Sequence, residues 1–379
     1  MKLERFLLDQ WLEKYQSSTP PIQFHLASST GPPWTTNELL GLVPSDEHQE
    51  LLDKSLLYSR SQGADDLREA IGEMEGVPAE SVLVLTGASE ALLILFFIGA
   101  EPGDNVIVPF PCFPTMAALP PSLGIETRRY KLRPEQKYRI DLDEIAALVD
   151  ARTRILLVNS PHNPTGSTLT DEEMDSLYDL AQAKGIQFVC DEVYHPIYHG
   201  PATPSATRLP KATVLGDLSK ALSLSGLRIG WIVERDHERM EAYLNARQYF
   251  TITNSPLTES LATIAIRNRN AIWQRTFEVA SANLELLDQF FAESEAILSW
   301  VRPDGGMTAF PSLNSGVNSR SFCEELAARG VLLAPGDCFE MPSHFRLGFG
   351  ALDQERFASA LQYISEYIHL ERTQTVGGR

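Results

Sequence analysis

Between residues 80 and 235, short β-rich apolar runs alternate with helical stretches, and this alternation constrains the fold more than any other feature. The runs are SVLVL (81–85), NVIVP (105–109), RILLVN (154–159), IQFVC (186–190), ATVLG (212–216) and RIGWIV (228–233). Between most of them lie helix-forming segments such as SEALLILFFIGA and TDEEMDSLYDLAQAKG. The second has Thr170 as its N-cap and stops at Gly185. Strands that are apolar throughout are buried on both faces, as happens when crossover helices cover a mostly parallel sheet. Only about ten residues separate the last two runs, which barely fits a helical crossover and leaves room for an antiparallel pair.

Beyond residue 235 the pattern changes. A long amphipathic helix over 270–294 is followed by TAFPSL, the helix SRSFCEELAARG, VLLAP, HFRLGFG and a last helix QERFASALQYISEYI. The expectation is an α/β protein: a large domain over 46–275, with a seven-stranded type of mostly parallel sheet and helices on both faces, and a small α+β domain over 276–379. Residues 1–45 have too little pattern for a domain and are expected to pack on the small one; the tail ERTQTVGGR reads as disordered.

With 379 residues, 43% hydrophobic, the chain has ample material for a core. Its formal net charge of −18 argues against nucleic acid or an anionic membrane as partner, since both select clustered Lys and Arg. Cys112, Cys190, Cys323 and Cys338 have neither metal-type pairing nor disulfide density. The start, MKLERFLLDQWLEKY, reads as an amphipathic helix and not a signal peptide, and ALLILFFIGA (91–100) is too short to span a bilayer. A cytoplasmic protein is expected.

Ligands of open parallel sheets bind outside the carboxyl ends of the strands, so the residues immediately after each run are the candidates for a site. After SVLVL comes TGASEA, where Gly87, Ala88 and Ser89 open a helix whose free N–H groups suit a phosphate, or simply join strand to helix. After NVIVP, prolines hold Phe113 where its ring could stack on a flat ligand or enter the core. After RILLVN, the turn SPHNPTG leaves Asn163 with a free donor and acceptor. After IQFVC, Asp191 stands at the sheet edge, where a desolvated carboxylate needs a cation or serves as a cap. His195 and His199 read as loop residues, and no metal site is expected. After ATVLG, Lys220 sits in partly apolar surroundings that favour its neutral, nucleophilic form, with Arg228 at the next strand as a phosphate clamp. Phosphate cradle, ring platform, amide, carboxylate and amine in this order match the needs of pyridoxal phosphate.

The pieces YSRSQGADDLREAI, TGASEAL, NSPHNPTG, CDEVY, LSKALSLSGLRIGW and FRLGFG together resemble the fold-type I, class I/II aminotransferases over essentially the whole chain. The resemblance implies that Lys220 carries the cofactor covalently and then moves the Cα proton, while Asp191 pairs with the pyridinium nitrogen. It further implies that Asn163 and Tyr194 bond the phenolic oxygen and that Ala88, Ser89 and Arg228 hold the phosphate. Arg346 would bind the substrate α-carboxylate, and Tyr58 would reach the phosphate of a neighbouring subunit in a homodimer. Three positions depart from the family: Phe113 replaces the usual tyrosine, Asp217 stands where a phosphate-binding serine is common, and Ser225-Gly226 replaces Pro-Gly. An acid at 217 must turn away, pair with a cation or reflect a changed site.

The leading expectation is amino transfer between an L-amino acid and a 2-oxo acid. LDQWLEKY, RPDGGMTAFPSL and GVLLAPGDCF also resemble the branch containing capreomycidine synthase, which implies elimination and ring closure as the alternative. A ligand-sensing regulator with an aminotransferase-like domain would carry a fused DNA-binding segment, for which the short acidic N-terminal region leaves no room.

Overall fold

The apolar runs become the inner strands of one sheet because their side chains have two buried faces to fill. The computed structural model describes the backbone of residues 3–376 and the side chains of 3–369. Its large sheet contains β1 (Val82–Leu85), β2 (Asn105–Phe110), β3 (Glu126–Lys131), β4 (Thr153–Asn159), β5 (Gln187–Asp191), β6 (Thr213–Asp217) and β7 (Gly230–Val233). Their order is β1-β7-β6-β5-β4-β2-β3. β7 runs antiparallel to both neighbours, β1 and β6, and all other pairs are parallel.

Alternation along each strand divides the core in two. Val82 and Val84 of β1, with Leu156 and Val158 of β4, join the cluster on one face. Leu83, Leu85, Ile155 and Leu157 join the other, beneath the apolar helix Ala88–Gly99. Each such Leu or Val contributes roughly 1.5–3 kcal/mol on full burial. The sequence pattern does not reveal β3, because ETRRYK is an edge strand with charges in place of an apolar run. Arg128 pairs there with Glu126 and Asp150, and such an edge resists further strand addition.

The helix Asp171–Lys184 has the Thr170 cap, completed as a capping box by Glu173, and ends on Gly185 in the left-handed conformation. Gly216 lies flat beneath Trp231: a Cβ there would come 2.4 Å from the indole. Gly216→Ala is therefore expected to lower stability by about 1–3 kcal/mol, read as a fall in Tm.

The smaller unit has a three-stranded antiparallel sheet of β8 (Thr308–Ala309), β9 (Ala334–Pro335) and β10 (Phe345–Gly348), in the order β8-β10-β9. Helices Arg269–Ser294 and Gln354–Val376 pack on each other, and the second also against Phe24–His25 and Val331–Leu332. The N-terminal helix Leu7–Gln16 buries Leu8 and Trp11, and the Trp11 indole donates to the Leu333 carbonyl at 2.7 Å. Phe24–His25 pairs in parallel with Val331–Leu332. The last helix runs on to Val376, through most of the stretch read as disordered, since extending an established helix is far easier than starting one. The rest of that stretch, 377–379, lies outside the described residues. All four cysteines are buried and unpaired. Among the described residues no helix is long and apolar enough to cross a membrane.

Candidate active site

A cavity opens at the carboxyl ends of β4, β5 and β6, where the helix Ala88–Gly99 begins. Eight residues singled out in the sequence line it: Ala88, Ser89, Phe113, Asn163, Asp191, Tyr194, Lys220 and Arg228. Asp217, the departure from the family pattern, lines it too.

One end is built to receive an anion. Gly87 adopts φ 79° as the helix N-cap, and the N–H groups of Ala88 and Ser89 fall in the first turn, where no carbonyl precedes them in the helix. The Arg228 guanidinium packs against Gly87 so closely that a Cβ there would lie 2.5 Å from Nη2. Arg228 is not at the start of β7 as expected. It stands two residues earlier, in a left-handed turn at φ 52°, which aims its side chain back at Gly87. Nη1 donates to the Ser225 carbonyl at 3.1 Å, and no carboxylate pairs with Arg228 among the described residues. Asn254 ties this corner together, its amide donating to the Leu85 carbonyl at 3.2 Å and its oxygen accepting from Arg247.

Two buried carboxylates stand beyond the cradle. Burial pushes the Asp191 pKa up to about 7, the Val193 N–H opposes this, and the charge of Asp217 adds to it. Val193 N donates to Asp191 Oδ1 at 3.2 Å, and among the described residues no cationic side chain lies within ion-pair distance of Asp191. Asp217 does not turn away. It accepts the Ser219 N–H at 2.8 Å and is also raised by burial, with Lys220 and, more weakly, Arg228 pulling it down. Burial lowers the Lys220 pKa, with Asp217 the strongest opposing charge. The amine therefore lies nearer to its neutral, nucleophilic state than an exposed lysine would. The Tyr194 hydroxyl is buried without a hydrogen bond of good geometry, and burial raises its pKa to about 12.

Arg346 sits on β10 at 2% exposure, outside the lining of this cavity but bonded to it. Nη1 donates to Asn163 Oδ1 at 3.0 Å and Nη2 to the Ala27 carbonyl at 2.8 Å, while buried Nε has no partner. Asn163 thus keeps its NH2 group free for the cavity. A buried guanidinium without a carboxylate is costly unless an anion arrives. Arg346→Lys is expected to weaken the binding of a carboxylate ligand about 30- to 150-fold, matching ~2–3 kcal/mol for a charge-assisted pair. Unchanged affinity would assign the anion to another group.

Tyr58 is not brought to this cavity. It is 83% exposed and lines a separate shallow depression with Leu56, Leu57 and Pro256. Two residues of the site were missed in the sequence. Asn159, at the end of β4, donates to the Asp191 carbonyl at 2.9 Å and accepts the Asn163 N–H at 2.8 Å. Ser29 accepts from Lys220 Nζ at 3.0 Å. Asn159 could have been found as the polar end of an apolar run; Ser29, in an unpatterned stretch, gave no signal. Among the described residues no cluster of three His, Cys, Asp or Glu is placed to hold a metal.

Two cations, Arg228 and Arg346, and two carboxylates, Asp191 and Asp217, none of them ion-paired among the described residues, thus surround the Lys220 amine. Comparison with known proteins identifies the family. The profile of the family "Aminotransferase class I and II" matches residues 33–364. Capreomycidine synthase of Streptomyces vinaceus is 31% identical over 349 residues, covering 90% of this chain and 88% of that protein. A PLP-dependent aminotransferase from Streptococcus suis superposes with a TM-score of 0.91 at 28% identity, covering 97% of this chain and 98% of its own. The PLP-dependent cyclase OrfR superposes at 0.89 with 29% identity, covering 98% of both chains. The chain belongs to the class I and II aminotransferase family.

Proposed function

We propose that this protein is a pyridoxal-phosphate-dependent enzyme that transfers the amino group of an L-amino acid to a 2-oxo acid. The observation that carries the reading is the set of charges left without partners around Lys220: Arg228 at the cradle, Asp191 at the strand end and Arg346 over Asn163.

The site fits the cofactor. Ala88, Ser89 and Arg228 would hold the phosphate, where Gly87 leaves space that a side chain would fill. Asp191 would take the ring nitrogen and Phe113 the ring face. The free hydroxyl of Tyr194 and the free amide of Asn163 would donate to the phenolic oxygen. When bound, the cofactor supplies an aldehyde for covalent capture of amines and a ring that accepts electrons from Cα. Arg346 fixes the carboxylate of the amino acid, which limits how its Cα–H can face Lys220. The Lys220 amine, held toward neutrality by burial, takes that proton and delivers it again. Asp191, once paired with a cation, keeps its charge opposite the developing negative charge.

In this reading the cofactor-binding domain spans 46–275 and the small domain 276–379, with the enzyme a cytoplasmic homodimer. Exposed Leu56, Leu57 and Tyr58, which line one depression with Thr253 and Pro256, support a subunit interface through which Tyr58 enters the neighbouring site.

A second reading, elimination with ring closure, is favoured by the 31% identity to capreomycidine synthase and the likeness to OrfR. Both begin with loss of the Cα proton, and the same residues serve both. Incubating holoenzyme singly with each of the twenty common amino acids, without a 2-oxo acid, separates them. Transfer leaves a 2-oxo acid and stoichiometric pyridoxamine phosphate; elimination, open only to amino acids with a leaving group on Cβ or Cγ, releases that group with an unsaturated, hydrolysed or cyclised product and regenerates the starting cofactor. Failure of the protein to bind pyridoxal phosphate would sink both.

A further inference from the structure

Ser29 lies 191 residues before Lys220, yet its hydroxyl is the only hydrogen-bond acceptor of the lysine amine among the described residues. We propose that Ser29 is a positioning residue for proton transfer: it holds the free Lys220 amine in place while the substrate occupies the cofactor. This rests on the function proposed above.

The chemistry explains the need. When a substrate amine bonds to the cofactor's aldehyde carbon, the bond from that carbon to Lys220 breaks, and the lysine leaves as a free amine. That amine must then take the Cα proton through its lone pair. Lys220 Nζ donates to Ser29 Oγ at 3.0 Å. A hydroxyl oxygen accepting one N–H restrains the nitrogen without occupying its lone pair. A carboxylate at this distance would stabilise the ammonium form and oppose proton abstraction. The two acids on neighbouring strand ends, Asp191 and Asp217, act on Lys220 only through space, as do Arg228 and Arg346; none forms an ion pair with it.

Ser29 is well placed to be firm. It is 7% exposed, on a strap fixed on both sides. Before it, Phe24–His25 pairs with Val331–Leu332, the Leu26 carbonyl accepts the Gly348 N–H at 2.7 Å, and the Ala27 carbonyl accepts Arg346 Nη2 at 2.8 Å. After it, Gly31 packs so closely on Ser223 and Thr276 that a Cβ would overlap the Ser223 hydroxyl. Arg346 therefore holds the same strap, two residues from the hydroxyl that holds the base. Tyr194 is also near: burial raises its hydroxyl pKa, while Arg346 and Ser29 pull it back.

The test compares wild type, Ser29→Ala and Ser29→Thr as holoenzymes, using whichever common amino acid supports turnover and its α-deuterated form. For Ser29→Ala we expect cofactor affinity and KM within about threefold of wild type, proton exchange at Cα slowed about tenfold, and a larger primary isotope effect. Ser29→Thr should recover most of the rate. In cofactor-free protein, the pH midpoint for reductive methylation of Lys220, followed by peptide mass spectrometry, should fall in Ser29→Ala, because the ammonium loses its acceptor. If Ser29→Ala fails to fold, Ser29→Cys, nearly the same shape with a weaker acceptor, is judged by the same isotope effect. Unchanged proton exchange and an unchanged lysine midpoint would overturn the proposal. So would a uniform loss of affinity, KM and rate with no change in isotope effect, which marks a structural role. Absence of cofactor binding in wild type would instead defeat the proposed function.

Discussion

Lys220→Ala is expected to abolish turnover, by at least about a thousandfold, and to remove the visible absorbance of covalently held cofactor. Among the described residues no other lysine lines the cavity, so no second amine there can take over. The fold should survive, because the lysine amine makes a single side-chain hydrogen bond, to Ser29, and no ion pair. Non-covalent cofactor binding should survive too, since neither the Gly87–Ser89 turn nor Arg228 is hydrogen-bonded to the lysine among the described residues. There is also an electrostatic consequence in the cofactor-free protein. Lys220 is the strongest of the charges holding the Asp217 pKa down, so its removal should raise the pH at which the cavity acids ionise. Borohydride reduction of the holoenzyme, with peptide mass spectrometry, gives the direct reading: a cofactor adduct at residue 220 in wild type and none in the variant. Activity and an adduct persisting in the Ala variant would move the nucleophile elsewhere.

The strand-end part of this site was legible because a single physical rule places it. Asp191 ends its strand and Asn163 and Lys220 come within four residues of a strand end, so recognising β4, β5 and β6 located these three; Tyr194 and Asp217 lie as near to strand ends but were picked out only through the resemblance to the family. The antiparallel placement of β7 was also open to sequence reasoning, through the short connection before it. Two kinds of feature were not legible. The first is β3, whose exposed edge position removes the apolar pattern that reveals inner strands. The second is Ser29, whose position depends on a two-residue pairing with Val331–Leu332 and on the Arg346 bond to Ala27, contacts that span most of the chain. No local propensity encodes them. Arg346 itself was found only by resemblance to the family, and the structure adds that it lacks a carboxylate partner among the described residues.

Asp191→Asn is expected to leave the cofactor bound and to slow Cα proton exchange by at least about a hundredfold, or ~2.7 kcal/mol. The amide keeps the shape of the side chain but cannot hold a proton on the ring nitrogen, so the loss falls on the step where negative charge develops. Stability of the cofactor-free protein should move the opposite way, and the pKa sets the sign. Asp191 is raised from 3.8 to about 7 on folding, chiefly by burial. A raised acid binds more protons in the folded state, so its ionisation erodes stability as pH climbs through that window. The cost is absent below about 4 and complete above about 7. Cofactor-free Asp191→Asn should therefore match wild type near the acid end and exceed it above neutrality, by on the order of 2–4 kcal/mol. Asp217 is raised by the same burial and feels the same charge, so the two acids titrate as a pair and the midpoint observed belongs to both. Adding pyridoxal phosphate should reverse the order, because the ring cation compensates Asp191 and has nothing to compensate in Asn. Thermal unfolding from below about pH 4 to above about pH 8, with and without cofactor, reads both arms. A proton-exchange rate within about tenfold of wild type, or cofactor stabilisation equal in the two proteins at pH 8, would show that Asp191 is not the partner of the ring nitrogen.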